Sequence, residues 1–338
     1  MSMAATLDDI ARETGLSRAT VARVMGKYGY VSKEAREKVL AVAKRLKYKP
    51  NYIARSMVTG ETKNIGLIVG DIQNPFFSTI ARAISDVIVP EGYSLIVTST
   101  DERLDVEIIS IDKFFQKQVD GLILAPVSRT NSDHLRELVK AKIPIVLIDR
   151  VIEELDVDMV VSDDIGGSFE ATEYLLKLGH RNIGFLSDTL DISTNYERIA
   201  GYQKALEAHG IELDPSWIKL GGFRVDGAYK SGVSLLSRNK DLTAVIATNN
   251  YMVAGLLLAA KDMEVRVPED LSVVSFDDIV WFDLANPPIT SVAQNTREIG
   301  NLSARRILMS IRGQRNETEL TRLPTKLVIR ESCAAPRK

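Results

Sequence analysis

Apolar residues recur at helical spacing through the first fifty positions, and then as short strand-like runs separated by amphipathic stretches. Thr6 followed three residues later by Asp9 is a capping-box pattern, and Leu7, Ile10 and Ala11 continue as an apolar stripe that ends near Gly15. Ser17 is placed to cap a second helix, Arg18 to Met25. Along it Val21 and Val24 lie three apart and face the first helix, which leaves Arg18, Ala19, Ala22 and Arg23 on other faces. Two such helices joined by a short turn containing Gly15 form a helix-turn-helix pattern. Ser32 heads a third helix, Lys33 to about Leu46, whose Val39, Ala43 and Leu46 complete a small core; Tyr48 packs after it, and Pro50 stops the run.

From Asn64 the period changes. Ile65-Gly-Leu-Ile-Val leads into a helix from Pro75, Tyr93-Ser-Leu-Ile-Val into one near Arg103, and Gly121-Leu-Ile-Leu into one near Asn131. Strands alternating with helices in this way predict parallel sheets covered on both faces. Asn64-Ile-Gly-Leu-Ile recurs 118 residues later as Asn182-Ile-Gly-Phe-Leu, so two similar half-domains, each with its own sheet, are expected. Ligands bind beyond the carboxyl ends of such strands, and two facing halves make a cleft there.

Charge divides the chain at the same place. Residues 1 to 60 hold 12 Lys/Arg against 5 Asp/Glu, whereas the remainder holds 31 against 40. A basic module on an acidic body suits phosphate neutralisation beside a separate task, although a solvated helical face would also read as basic. With 338 residues and 45% hydrophobic content, two or three domains with a substantial core are expected. Cys333 is the single cysteine, which excludes an intrachain disulfide and a cysteine metal cluster. The N-terminus lacks a basic segment followed by an apolar run, and no apolar run approaches 18 residues; a cytoplasmic protein without membrane partners is the expectation.

The run Thr6-Leu-Asp-Asp-Ile-Ala-Arg-Glu-Thr-Gly-Leu-Ser-Arg-Ala-Thr-Val-Ala-Arg-Val-Met resembles the headpiece of the lactose/galactose repressor family almost position by position. Val31-Ser-Lys-Glu-Ala-Arg-Glu-Lys-Val and Tyr48-Lys-Pro-Asn-Tyr-Ile-Ala-Arg continue the resemblance, which then extends to about residue 332. It implies that Arg18 to Met25 is a recognition helix for the major groove, with Arg18, Ala19 and Arg23 toward the bases. An arginine fork can donate two hydrogen bonds to guanine O6 and N7, whereas Ala19 offers a methyl contact only. Ser17, Thr20 and Asn51 are implied to hold phosphate oxygens, and Arg55 belongs to the same DNA-binding set. Asn51 to about Met57 matches a hinge helix that folds on DNA and wedges apolar side chains into the minor groove. Met57 stands where leucine is usual, Ala22 where serine is, and Gly26 where asparagine is.

The resemblance further implies an α/β, periplasmic-binding-protein-like core of two doubly wound parallel-sheet half-domains behind the all-helical headpiece. The headpiece is assigned to residues 1–50, the hinge helix and linker to 51–61, and the effector-binding core to 62–332. Within the core, 62–162 plus 292–322 form one half, and 163–291 plus 323–332 the other. Arg198, Asp277, Asn249 and Phe223 match effector-pocket positions, with Asn74, Phe76, Phe77 and Gln294 as further candidates. Adjacent helical residues point different ways, so one of Phe76 and Phe77 is expected in the core. A guanidinium beside a carboxylate and an amide suits a polyol, because each hydroxyl both donates and accepts. Asp163-Asp164 and Asn249-Asn250 replace the usual Asp-Asn and Asn-Asp, which leaves the pocket's charge balance open.

The resulting expectation is a homodimeric transcriptional regulator, a repressor, that binds a pseudo-palindromic double-stranded DNA operator under control of a small-molecule effector of carbohydrate type. No catalytic residue, cofactor or metal is expected. An enzyme on the same scaffold is the competing reading, but the chain has no glycine-rich dinucleotide fingerprint, no P-loop and no His-Glu-x-x-His run; His134, His180 and His209 are its imidazoles. A sugar-binding transport protein is a third reading, opposed by the helix-turn-helix and the N-terminal composition.

Overall fold

The computed structural model describes residues 5–26, 28–48, 61–239, 241–314 and 317–337. Contacts divide the chain into two compact units, Met1–Thr62 and Lys63–Lys338.

The first unit holds α1 (Leu7–Thr14), α2 (Arg18–Gly26) and α3 (Lys33–Arg45). Local chemistry sets these boundaries. The Thr6 hydroxyl accepts from the Asp9 amide while the Asp9 carboxylate accepts from the Thr6 amide, and Gly15 ends α1 in the left-handed region that a side chain would strain. Ser17 Oγ accepts from the Thr20 amide at 3.1 Å, and Ser32 Oγ from the Ala35 amide at 3.3 Å. The apolar faces meet in one cluster of Ile10, Val21, Val24, Val39 and Ala43, against which Leu46 and Tyr48 are partly buried.

The second unit begins with β1 (Asn64–Val69), α4 (Pro75–Ile88), β2 (Ser94–Ser99), α5 (Leu104–Gln116), β3 (Gly121–Leu124), α6 (Asp133–Lys140), β4 (Ile145–Ile148) and β5 (Asp158–Ser162). It continues through α7 (Asp164–Lys177), β6 (Ile183–Ser187), α8 (Ser193–Ala208), β7 (Ile218–Leu220), α9 (Val225–Arg238), β8 (Ala244–Ala247), α10 (Asn250–Asp262), β9 (Ser272–Phe276) and β10 (Thr290–Ala293). The described part closes with α11 (Thr296–Ile311), β11 (Leu320–Leu323) and β12 (Lys326–Val328).

Two sheets result, ordered β11-β5-β4-β3-β1-β2 and β12-β10-β9-β8-β6-β7. Pairing is parallel except between β10 and β12. The repeated Asn-Ile-Gly segments take equivalent places: β1 lies between β2 and β3, and β6 lies between β7 and β8. Helices cover both faces of each sheet, so the inner strands read as unbroken apolar runs. Ile65, Leu67 and Val69 pack toward Ile80, Ile84, Ile299 and Ile307, whereas Ile68, Leu122 and Leu124 pack toward Ile111, Phe114 and Leu135. The second sheet repeats this with separate clusters around Phe185 and Tyr202 and around Val245 and Met252.

The chain passes between sheets after β5, again after β10, and a third time after β11. Two limits differ from the sequence-based assignment: Val292 and Ala293 pair with Leu327 and Lys326 in the second sheet, and Leu323 pairs with Ser162 in the first. Strands continue until their ladder partners end: around 292 the local sequence carries no break signal, whereas β11 stops at Leu323 because Pro324 follows it.

Candidate functional site

In the first unit, α2 buries Val21 and Val24 and leaves Ser17, Arg18, Ala19 and Arg23 exposed, with Thr20 half-buried beside them. Ser17 Oγ lies 2.9 Å from Thr20 Oγ1, so the two hydroxyls form one small polar cap at the start of this helix. Arg18 Nε stands 3.4 Å from Asp8 Oδ1, an ion pair with both partners in solvent and therefore of little strength. Ala22 is half-buried, and a Cβ at Gly26 would meet only the ring of exposed Tyr28, which can turn aside, so nothing in the structure explains glycine there. Asn51, Arg55 and Met57 lie outside the described residues.

In the second unit, the carboxyl ends of the two sheets' strands border one cavity of about 290 Å³. Asn74, Phe76 and Phe77 line it from the first half, and Arg198, Phe223, Asn249 and Asp277 from the second. Gln294 lines it from the segment that follows β10. Both phenylalanines border the cavity, and both are also buried members of the first half's core, so the two roles are not divided between them as expected. They occupy the first turn of α4, which the cavity meets end-on, and their rings touch edge to face at 5.1 Å.

Capping residues position much of the wall. Asn74 Oδ1 accepts from the Phe76 amide at 3.0 Å, and Asn249 Oδ1 accepts from the Met252 amide at 2.9 Å, so each amide side chain sits at a helix N-terminus beside the cavity. Asn250 Nδ2 donates to Asn74 Oδ1 at 3.3 Å and the Tyr251 hydroxyl to Asp71 Oδ2 at 3.0 Å, bonds that join the two halves. Arg198 is buried in α8: its Nε donates to Asp164 Oδ1 at 2.7 Å, a second nitrogen donates to the Thr248 carbonyl at 2.5 Å, and its plane lies 3.8 Å from the Phe276 ring centroid. Arg198 is therefore no surface residue of its helix, and its neighbour Glu197 holds Arg322 instead.

Sequence reasoning missed two of the three arginines, Arg150 and Arg224, and most of the acids. Arg150 donates to both oxygens of Glu102 at 2.6 Å and to the Pro126 carbonyl at 2.9 Å. Asp149 precedes it, and Asp188 accepts from the side-chain amides of Asn195 and Asn249. Seven carboxylates line the cavity against three guanidiniums, those of Arg150, Arg198 and Arg224. Burial raises Asp149 to a pKa of about 6, with Arg150 and Arg198 drawing it back, and raises Asp188 to about 6 as well. Burial also raises Asp277, against the pull of Arg198 and the Gln294 hydrogen bond, and raises Asp164 despite its ion pair. For Arg198, burial alone would lower the pKa, but Asp164, Asp277 and Asp149 together raise it.

A positional signal could have found these residues. Asp71, Asp149, Asp188, Asn249 and Asp277 each stand one or two residues beyond a strand's carboxyl end. Asp101, Glu102, Asp149 and Asp277 also hold left-handed backbone, with φ of 51°, 57°, 67° and 67°. Such conformations cost energy and gather where a site over-determines the backbone.

Comparison with known proteins assigns this arrangement. Residues 6–51 match the family described as bacterial regulatory proteins, lacI family, and residues 172–333 match the periplasmic binding protein-like domain. The HTH-type transcriptional regulator DegA of Bacillus subtilis (strain 168) is 34% identical over 332 residues, covering 98% of each chain. Among solved structures, the lac repressor dimer bound to operator and the anti-inducer ONPF aligns over 98% of this chain and all of the other, with a TM-score of 0.87 and 26% identity. The complex of transcriptional regulator CelR with cellobiose aligns over 97% and 99%, with a TM-score of 0.74 and 31% identity. No helix among the described residues is long and apolar enough to cross a membrane.

Proposed function

The chain belongs to the lacI family of bacterial regulatory proteins and is a DNA-binding transcriptional regulator, not an enzyme; from that premise we propose how its residues divide the work. It represses as a homodimer on a pseudo-palindromic operator, each headpiece reading one half-site. Arg18, Ala19 and Arg23 face the bases, and Ser17 and Thr20 hold phosphates. Asn51, Arg55 and Met57 act in the 51–61 hinge. Within the 62–332 core, the cavity lined by Asn74, Phe76, Phe77, Arg198, Phe223, Asn249, Asp277 and Gln294 binds a small polyhydroxylated effector.

The observation that carries the reading is the position of this cavity. It lies among residues of both halves, next to the Asn74–Asn250 and Asp71–Tyr251 bonds that join them. A ligand there contacts both halves at once, and can favour one relative arrangement over another only by the difference in its affinity for the two. A carbohydrate is supported by the amide and charged donors and acceptors beside the Phe223 ring, and by cellobiose in the related CelR complex.

A thermal-shift screen of carbohydrates and nucleobases, followed by operator binding with each hit, tests the coupling. The expected result is at least one ligand that both raises the melting temperature and changes operator affinity. Hits that bind without altering DNA affinity would refute it.

A further inference from the structure

The charge balance of the cavity says more about its ligand than that it bears hydroxyls. Resting on the effector reading above, we propose that the effector carries a protonated nitrogen, as in an amino sugar or a hydroxylated amine, and that Asp149 and Asp188 receive it.

Hydrogen-bonding capacity leads to this class. Most buried donors around the cavity bond the protein itself: Arg150 to Glu102 and Pro126, Arg198 to Asp164 and Thr248, the Asn195 and Asn249 amides to Asp188, and the Gln294 amide to Asp277; exposed Arg224, 3.4 Å from Asp101, and the Asn74 amide nitrogen stay available. Acceptors remain in excess. Asp149 is 7% exposed, lines the cavity and accepts no hydrogen bond among the described residues; its cationic neighbour is Arg150 Nε at 3.3 Å, which does not close one. Gln294 Oε1 is likewise buried without a partner. A neutral hydroxyl brings one hydrogen and two lone pairs, so a simple polyol would add acceptors to a wall that already carries more of them than free donors. An ammonium brings three donors and no acceptor. Its charge also offsets the excess of carboxylates over guanidiniums, which a phosphate or carboxylate on the ligand would worsen.

Isothermal titration of the full chain at pH 7 provides the test, with glucosamine, galactosamine and mannosamine each compared with the parent hexose and the N-acetyl derivative. The expected result is that at least one amine binds ten-fold or more tighter than both its counterparts, and that Asp149→Asn and Asp188→Asn each shrink this ratio toward one. Thermal unfolding confirms that a variant is folded, and the wild-type ratios stand if one is not. No binding by any amine, or amine affinities equal to or weaker than those of the neutral sugars, overturns the assignment. Neutral sugars that bind and shift operator affinity without an amine advantage overturn the charge assignment alone and leave the effector reading intact.

Discussion

Replacing Arg198 by methionine isolates the electrostatic centre of the core. The substitution keeps an apolar stem of similar length against Phe276, while removing the guanidinium that bonds Asp164 and the Thr248 carbonyl. Removing one partner of a buried ion pair costs about 3–5 kcal/mol, because the other charge is left without compensation. For a domain of this size one kcal/mol corresponds to about 2–4 °C, so the core's thermal midpoint should fall by roughly 6–20 °C at pH 7.5. The loss should depend on pH with a definite sign. Asp164, Asp149 and Asp277 already have pKa values above the usual carboxylate range, and losing Arg198 raises them further. The folded variant then binds more protons than the unfolded chain, so its stability is retained at low pH and declines as pH rises through the elevated values. Differential scanning calorimetry at pH 5 and pH 7.5 should therefore find a smaller deficit at pH 5. A deficit under 2 °C, as an order-of-magnitude threshold from the same relation, or one that widens at pH 5, would refute the account of a desolvated acid cluster held by one arginine.

In the wild-type chain, Asp149 and Asp188 with pKa near 6 contribute stability that is full below the ordinary carboxylate range and lost as pH rises through about 6. Asp188→Asn should flatten that part of the melting-temperature profile, and an unchanged profile would contradict the burial assigned to it. Arg23→Ala should lower affinity for the preferred operator by about 1–3 kcal/mol while narrowing its margin over scrambled DNA, as read by fluorescence anisotropy. Equal losses on both sequences would remove Arg23 from base reading. Asp8→Asn releases Arg18 from a weak exposed pair and removes a negative charge near the phosphates. Operator binding should tighten severalfold with little change in melting temperature, and weaker binding would show that Asp8 is needed to orient Arg18.

Most of the headpiece was legible because its determinants are local. The Thr6–Asp9 box, Gly15, the Ser17 and Ser32 caps and the Val21–Val24 stripe act within one or two helical turns, and the structure forms them where the pattern puts them. The two-sheet core was legible for a related reason: fully covered strands must be apolar along their whole length, and the Asn64 and Asn182 segments repeat that pattern. The eight effector candidates gathered around one cavity, but they came from resemblance, and composition alone would not have chosen Arg198 from the 43 Lys/Arg.

Tertiary structure decided the charge of the site. Glu102 and Arg150 lie 48 residues apart, Asp164 and Arg198 34, and Asn74 and Asn250 176; their pairing depends on which strand ends the crossovers bring together. The protonation of Asp149 and Asp188 depends on burial, which no single position encodes. Periodicity and capping are carried by neighbours along the chain, so the sequence by itself determined the headpiece, the alternation of strands and helices and the duplication. Desolvation and ion pairing are carried by neighbours in space, so only the folded chain decided that the cleft between two sheets is lined by an excess of carboxylates.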